Sequence, residues 1–113
     1  MKGHKPEMQL TIDHLVTVQE EINKIVTGKK TTVRRHGKYA EVGEILTLDG
    51  QNYRIKNVFQ QANKDMTDED ATNDGYENLE EYRISIQKHH NITTLKFNPE
   101  KYFWVHVLEK MNV

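Results

Sequence analysis

The sequence predicts an α+β fold: a mostly antiparallel sheet, short enough to curl into a small β-barrel, with flanking helices. Three observations carry this. One apolar stripe at helical spacing opens the chain. An Asp-Gly pair separates two alternating apolar runs. Two short, capped helical segments then precede two runs rich in β-branched and aromatic residues. The order is helix, strand, hairpin, helices, strands, with no internal repeat or linker.

Taken in order, residues 1–12 read as a polar N-terminal extension, and residues 13–113 as one domain. In "DHLVTVQEEINKIVTG", Leu15, Val18, Ile22 and Ile25 recur at spacings of three and four, which puts them on one helix face. Asp13 is placed to cap this helix, and Gly28 to end it in the left-handed conformation. "KTTVRR" is β-branched at its centre and predicts a strand. Gly37 and Gly43 bracket a turn-rich link. "EILTL" and "YRIKNVFQ" flank "DGQN", a hairpin signal. Thr67 caps the next helix, with Asp68, Glu69 and Asp70 near the positive end of its dipole, and Gly75 ends it. Asn78 caps the one after, with Glu81 completing a capping box. Leu79, Tyr82 and Ile86 face inward. "NITTLKF" and "KYFWVHVLEK" close the sheet.

Composition narrows the function. The chain is 35% hydrophobic and 29% charged, and no apolar run approaches the roughly 20 residues of a membrane span. Its start lacks the apolar block of a secretory signal, and a cytoplasmic location is expected. With no cysteine, thiolate metal sites, disulfides and Cys nucleophiles are excluded. The adjacent His89 and His90 diverge on a helix, and no zinc motif is present, so no metal or other cofactor is expected. "DEDATNDG" lacks calcium-loop spacing.

Sixteen basic and seventeen acidic residues nearly cancel, but they are segregated. "GKKTTVRRHGK", residues 28–38, holds five Lys/Arg and no acid. Residues 65–81 hold eight acids and no base. Strand alternation puts Lys30, Thr32 and Arg34 on one face and Thr31, Val33 and Arg35 on the other, with Val33 toward the core. A cluster of Lys29, Lys30, Arg34 and Arg35 can hold a phosphate or nucleotide. Tyr39, Tyr53, Phe59, Tyr76 and Trp104 are candidates for base stacking. The plain alternative is a basic sheet edge that pairs with the acidic helices.

Several stretches together resemble the ASCH domain of the PUA-like superfamily. "GKKTTVRR" after a helix is similar to its G-x-K-x-x-x-x-R signature, here Gly28, Lys30 and Arg35. "VGEILTLDG", "MTDEDATNDGYENLEEYRISI" and "YFWVHVLEK" resemble its later segments, in order, over roughly residues 13–110. The resemblance implies a PUA-like β-barrel with a cleft beside the signature. It also implies RNA, or a nucleoside- or nucleotide-like small molecule, as partner, with no membrane and a monomer expected. Some small members hydrolyse acetylated cytidine with a Lys and a Thr of the signature and a later acid. The matching positions here are Lys30, Thr32 and Asp74, with Asp where those enzymes carry Glu. Two alignments are open. Ungapped, Val33 takes the threonine's place; with one deletion, Thr32–Arg34 matches Thr-aliphatic-Arg. In the enzymatic reading Lys30 is the base, Thr32 attacks, and Asp74 shuttles the proton or orients Lys30. Binding through Lys29, Lys30, Arg34, Arg35 and Tyr76 is the first expectation, amide hydrolysis the second, and a protein-interaction module the third.

Overall fold

The computed structural model describes residues 10–89 and 100–112. Four strands form one antiparallel sheet: β1 (Thr32–Arg35), β2 (Ile45–Leu48), β3 (Gln51–Ala62) and β4 (Tyr102–Lys110), in the order β1-β4-β3-β2. Three helices flank it: α1 (Gln19–Val26), α2 (Asp68–Asn73) and α3 (Leu79–His89). The sheet is curled into a half-barrel, as the α+β expectation requires. The strand expected at "NITTLKF" and residues 1–9 lie outside the described residues, as does His90.

The β2–β3 hairpin forms where Asp-Gly predicts it. Asp49 and Gly50 both have positive φ, 50° and 80°, which a two-residue turn of primed type demands. Alternation then sorts the strand: Leu46 is buried and Ile45 exposed, Ile55 buried and Lys56 exposed. The pairing of β3 with β4 slips between Ile55 and Asn57. Such a bulge bends a strand and raises its twist, which curls the sheet.

The first helix differs from the expectation. A 3-10 turn spans Ile12–His14, the chain then runs on to Val18 outside helix, and α1 starts only at Gln19. Asp13 lies inside the 3-10 turn and is not an N-cap. Val18, in extended backbone, is 53% exposed, whereas Leu15 is fully buried. Two causes are visible. Val16, Thr17 and Val18 are three consecutive β-branched residues, poor helix formers. The Leu15 carbonyl, which a helix would use internally, accepts the Arg35 Nε–H at 3.0 Å. The predicted end holds: Gly28 (φ 85°) donates to Ile25 and Lys29 donates to Lys24, a Schellman motif.

Two apolar clusters form. Leu15, Val16 and Ile25 join Val33, Ile55 and Leu108 on one face of the sheet. Met66, Ala71 and Tyr82, with Tyr76, Leu79 and Ile86 beside them, form the second within the α2–α3 segment. Partners across an antiparallel ladder share a face. Val33, His106 and Val58 therefore point to the first cluster. Arg34, Val105 and Phe59 point the other way, where α2 lies. Thr67 caps α2 in a full capping box with Asp70. At α3, Asn78 accepts from the Glu81 N–H as expected, but the Glu81 carboxylate turns to the Glu77 N–H, one residue upstream of the box expected there. No helix among the described residues is long and apolar enough to cross a membrane.

Candidate functional site: a buried Lys–Thr–Arg–Asp cluster

β1 is an edge strand, and the run just before and within it meets the end of α2. Asp74 is the C-cap of that helix. Gly75 (φ 97°) follows, donating to Thr72, and Tyr76 donates to Ala71, a second Schellman motif. A side chain at Gly75 would be strained by its φ. Its Cβ would also crowd the Lys24 and Lys30 stems, at 3.2 and 3.4 Å. Glycine thus lets the turn close on Lys30. The Thr31 N–H bonds the Asn73 carbonyl at 2.8 Å, stitching turn to strand.

Three side chains of the basic run converge on Asp74. Lys30 Nζ donates to its main-chain oxygen at 2.9 Å. The Thr32 hydroxyl donates to carboxylate Oδ1. Arg34 Nε donates to Oδ2 at 2.9 Å. All are shielded: Asp74 is 2%, Lys30 5% and Thr32 7% exposed. Asp74 is electrostatically misplaced at the negative end of a helix. The Arg34 guanidinium and the Thr32 hydroxyl supply the compensation that its own helix does not. Arg34 is steadied in turn, donating Nη1–H to Gln61, which donates to Asp70 at 3.0 Å.

Burial is the main cause that lowers the Lys30 pKa, with Lys24 and Arg35 adding to it; Asp74 and Glu21 oppose and do not cancel it. Lys30 is therefore a stronger acid than a free lysine. Tyr76 and Tyr82 nearby have raised pKa values, Tyr82 up to about 12, both chiefly because burial disfavours the phenolate.

The other candidates are dispersed. Arg35 points to the opposite face and pairs with Glu21 at 2.8 Å. Lys29 is exposed and has no ion pair among the described residues. Lys29, Lys30, Arg34 and Arg35 thus do not stand as one basic wall. Tyr76 is half-buried, its ring 5.1 Å below the Lys24 ammonium. Trp104 is likewise covered, by Lys38 at 5.7 Å. Tyr53 is core. His106 is a core residue with both ring nitrogens bonded. No group of three or more His, Asp or Glu able to hold a metal occurs among the described residues. A cavity of about 210 Å³ adjoins the cluster at Lys30, lined also by Ile25, Gly28, Thr31, Tyr53 and Leu108; it meets neither Thr32 nor Asp74.

Two solved structures share this architecture. An ASCH domain from Lactobacillus crispatus JV V101 superposes with a TM-score of 0.58 at 14% identity, covering 81% of this chain and 70% of that one. A DUF984 protein from Enterococcus faecalis V583 does so with a TM-score of 0.56 at 18% identity, over 80% and 66%. The fold is of the ASCH type. No protein-family model matches the chain, and neither does any curated protein. Within the ASCH-type fold, the hydroxyl that reaches the cluster is Thr32; Val33 is fully buried on the opposite face. Arg34 is the arginine on Asp74, and Arg35 turns to α1. Glu21 and Gln61 were not foreshadowed by any motif. Gln61 gives no local signal at all, since its role depends on a strand pairing far from it in sequence.

Proposed function

We propose that this chain hydrolyses an amide of an acylated nucleoside, acetylated cytidine being the test case, with Thr32, Asp74 and Lys30 as working residues. The observation that supports it is their convergence: a hydroxyl hydrogen-bonded to a carboxylate, with a lysine of lowered pKa on the same residue. Thr32 Oγ attacks the acyl carbon while its proton passes to the Asp74 carboxylate. The C–N bond breaks as the Lys30 ammonium protonates the leaving amine. Water then attacks the acyl-threonine ester and gives its proton to Lys30. Asp74 returns its own to Thr32, and the carboxylic acid leaves and ionises in solution. Exclusion of water strengthens each of these interactions.

Purified protein incubated with acetylcytidine is expected to release cytidine. Lys30→Ala and Thr32→Val should each lower kcat by about 10²-fold or more. Undiminished turnover in Thr32→Val would remove Thr32 as nucleophile. No turnover by the unaltered protein would sink the hydrolase reading.

A second reading is binding of single-stranded RNA without hydrolysis. The solvent-facing Lys29 and the Lys24–Tyr76 pair beside the cluster favour it. In that case short RNA binds, weakens steeply with salt, and is weakened further by Lys29→Glu.

A further inference from the structure

Lys30 stands at the sheet edge between two acids. On one side is Asp74. On the other, Glu21 of α1 brings Oε2 to 3.9 Å from Lys30 Nζ. Glu21 is anchored rather than loose. Its Oε1 accepts from Arg35 at 2.8 Å. Arg35 is fixed in turn by donating to the Leu15 and Arg34 carbonyls, both at 3.0 Å. That anchorage leaves Oε2 turned toward Lys30. The two acids differ in their access to water. The Asp74 side chain is 2% exposed and that of Lys30 6%, whereas Glu21 is 27% exposed. Among the described residues, Glu21 is the carboxylate that both reaches toward Lys30 and touches solvent.

We infer that Glu21 is a positioning residue for Lys30, holding its ammonium in the cluster and passing its proton to and from solvent. At 3.9 Å the carboxylate is within ion-pair reach of the ammonium. The inference rests on the hydrolase reading for its consequence in turnover, but not for its geometry. In that reaction Lys30 gives up a proton when the amine leaves and regains one when water attacks. Lys30 must begin each turnover as the ammonium, and Glu21 is the neighbour that both favours that charge and meets solvent. The charged groups around Lys30 are Glu21 and Lys24 from α1, Arg35 from β1, and Asp74 from the end of α2. Without the Glu21 charge, Asp74 alone opposes burial and the two cations.

Glu21→Gln keeps the shape and the acceptor for Arg35 while removing the charge. In protein labelled at lysine ¹³Cε, the Lys30 titration followed by NMR is expected to move down by about one pH unit, and to return toward its original place in Glu21→Asp. In acetylcytidine turnover, the pH limb set by Lys30 should move in the same direction. kcat should fall by about tenfold, less than on removing Lys30 itself, with KM little changed. Glu109→Gln, which removes a distant surface carboxylate, should do neither. An unmoved titration in Glu21→Gln overturns the inference even if the variant is less stable, because Glu21 would then be a strut for Arg35 only. A moved titration in a protein that never turns over acetylcytidine overturns the hydrolase reading alone. An active protein whose kcat and pH limb ignore the substitution overturns the inference alone.

Discussion

His106 accepts the Tyr39 N–H at Nε2 and bonds the Val33 carbonyl through Nδ1, at 3.0 and 3.1 Å, inside a fully buried site. Nε2 must therefore be unprotonated and Nδ1 carries the hydrogen, a neutral ring with its tautomer fixed by its neighbours. Burial lowers its pKa below the ordinary 6.5; Arg35 and Lys38 add to this, and the Val33 bond opposes it. Between the folded and unfolded values the unfolded chain binds the extra proton. Stability is thus fully present above about pH 6.5 and declines as pH falls through the folded value. Thermal melts from about pH 8 to about pH 5 should show that decline, and His106→Gln, although destabilised, should show a flatter one. A slope unchanged by the substitution would assign the effect to other groups.

At the scale of elements, the turn after α2 decides whether the cluster exists. Gly75→Ala should cost about 1–2 kcal/mol from its positive φ alone. The new methyl would also press on the Lys24 and Lys30 stems. On the proposed hydrolysis, the expected result is a lower melting temperature together with a loss of acetylcytidine turnover larger than stability explains. A variant that is less stable but fully active would show that the turn does not set the position of Lys30. What could be read from sequence follows from range. The Asp-Gly hairpin, the Thr67 cap and the two glycine helix ends are local signals, and each stands where its residues predict. The start of α1 was not legible. The apolar spacing of Leu15 and Val18 continues the helical pattern, but the carbonyl of Leu15 is claimed by Arg35, twenty positions away.

For the whole molecule, the α2–α3 segment carries its own apolar cluster and lies across the sheet from the main core. Asp74 is a principal tie between them. Asp74→Ala leaves the Arg34 guanidinium, 6% exposed, without its partner carboxylate. Breaking a buried pair in this way costs about 3–5 kcal/mol, a large part of a small domain's stability. Hydrogen exchange should then accelerate over residues 68–86 more than over the β2–β3 hairpin. Uniform acceleration would mean that the two parts open as one unit. The candidate site was half legible for the same reason. Alternation along β1 predicts that Arg34 and Arg35 part company, and they do. It does not say that one meets Asp74 and the other Glu21, because strand pairing and helix packing choose those partners. The segregated charge of the sequence thus meets across the fold: part of the basic run is spent on the acid at the end of α2.

The three bonds to Asp74 from Lys30, Thr32 and Arg34 span 44, 42 and 40 positions of chain. The hairpin closes over two residues. Long loops must close before such contacts can form, so the cluster is assembled after the local elements. Synthesis sharpens the order, because the N-terminal part leaves the ribosome first. Until the stretch around Asp74 follows, Lys30, Thr32 and Arg34 lack their shared partner in the nascent chain. The acidic segment translated later acts as the delayed counter-ion of the basic run, and the site is born only when that segment arrives.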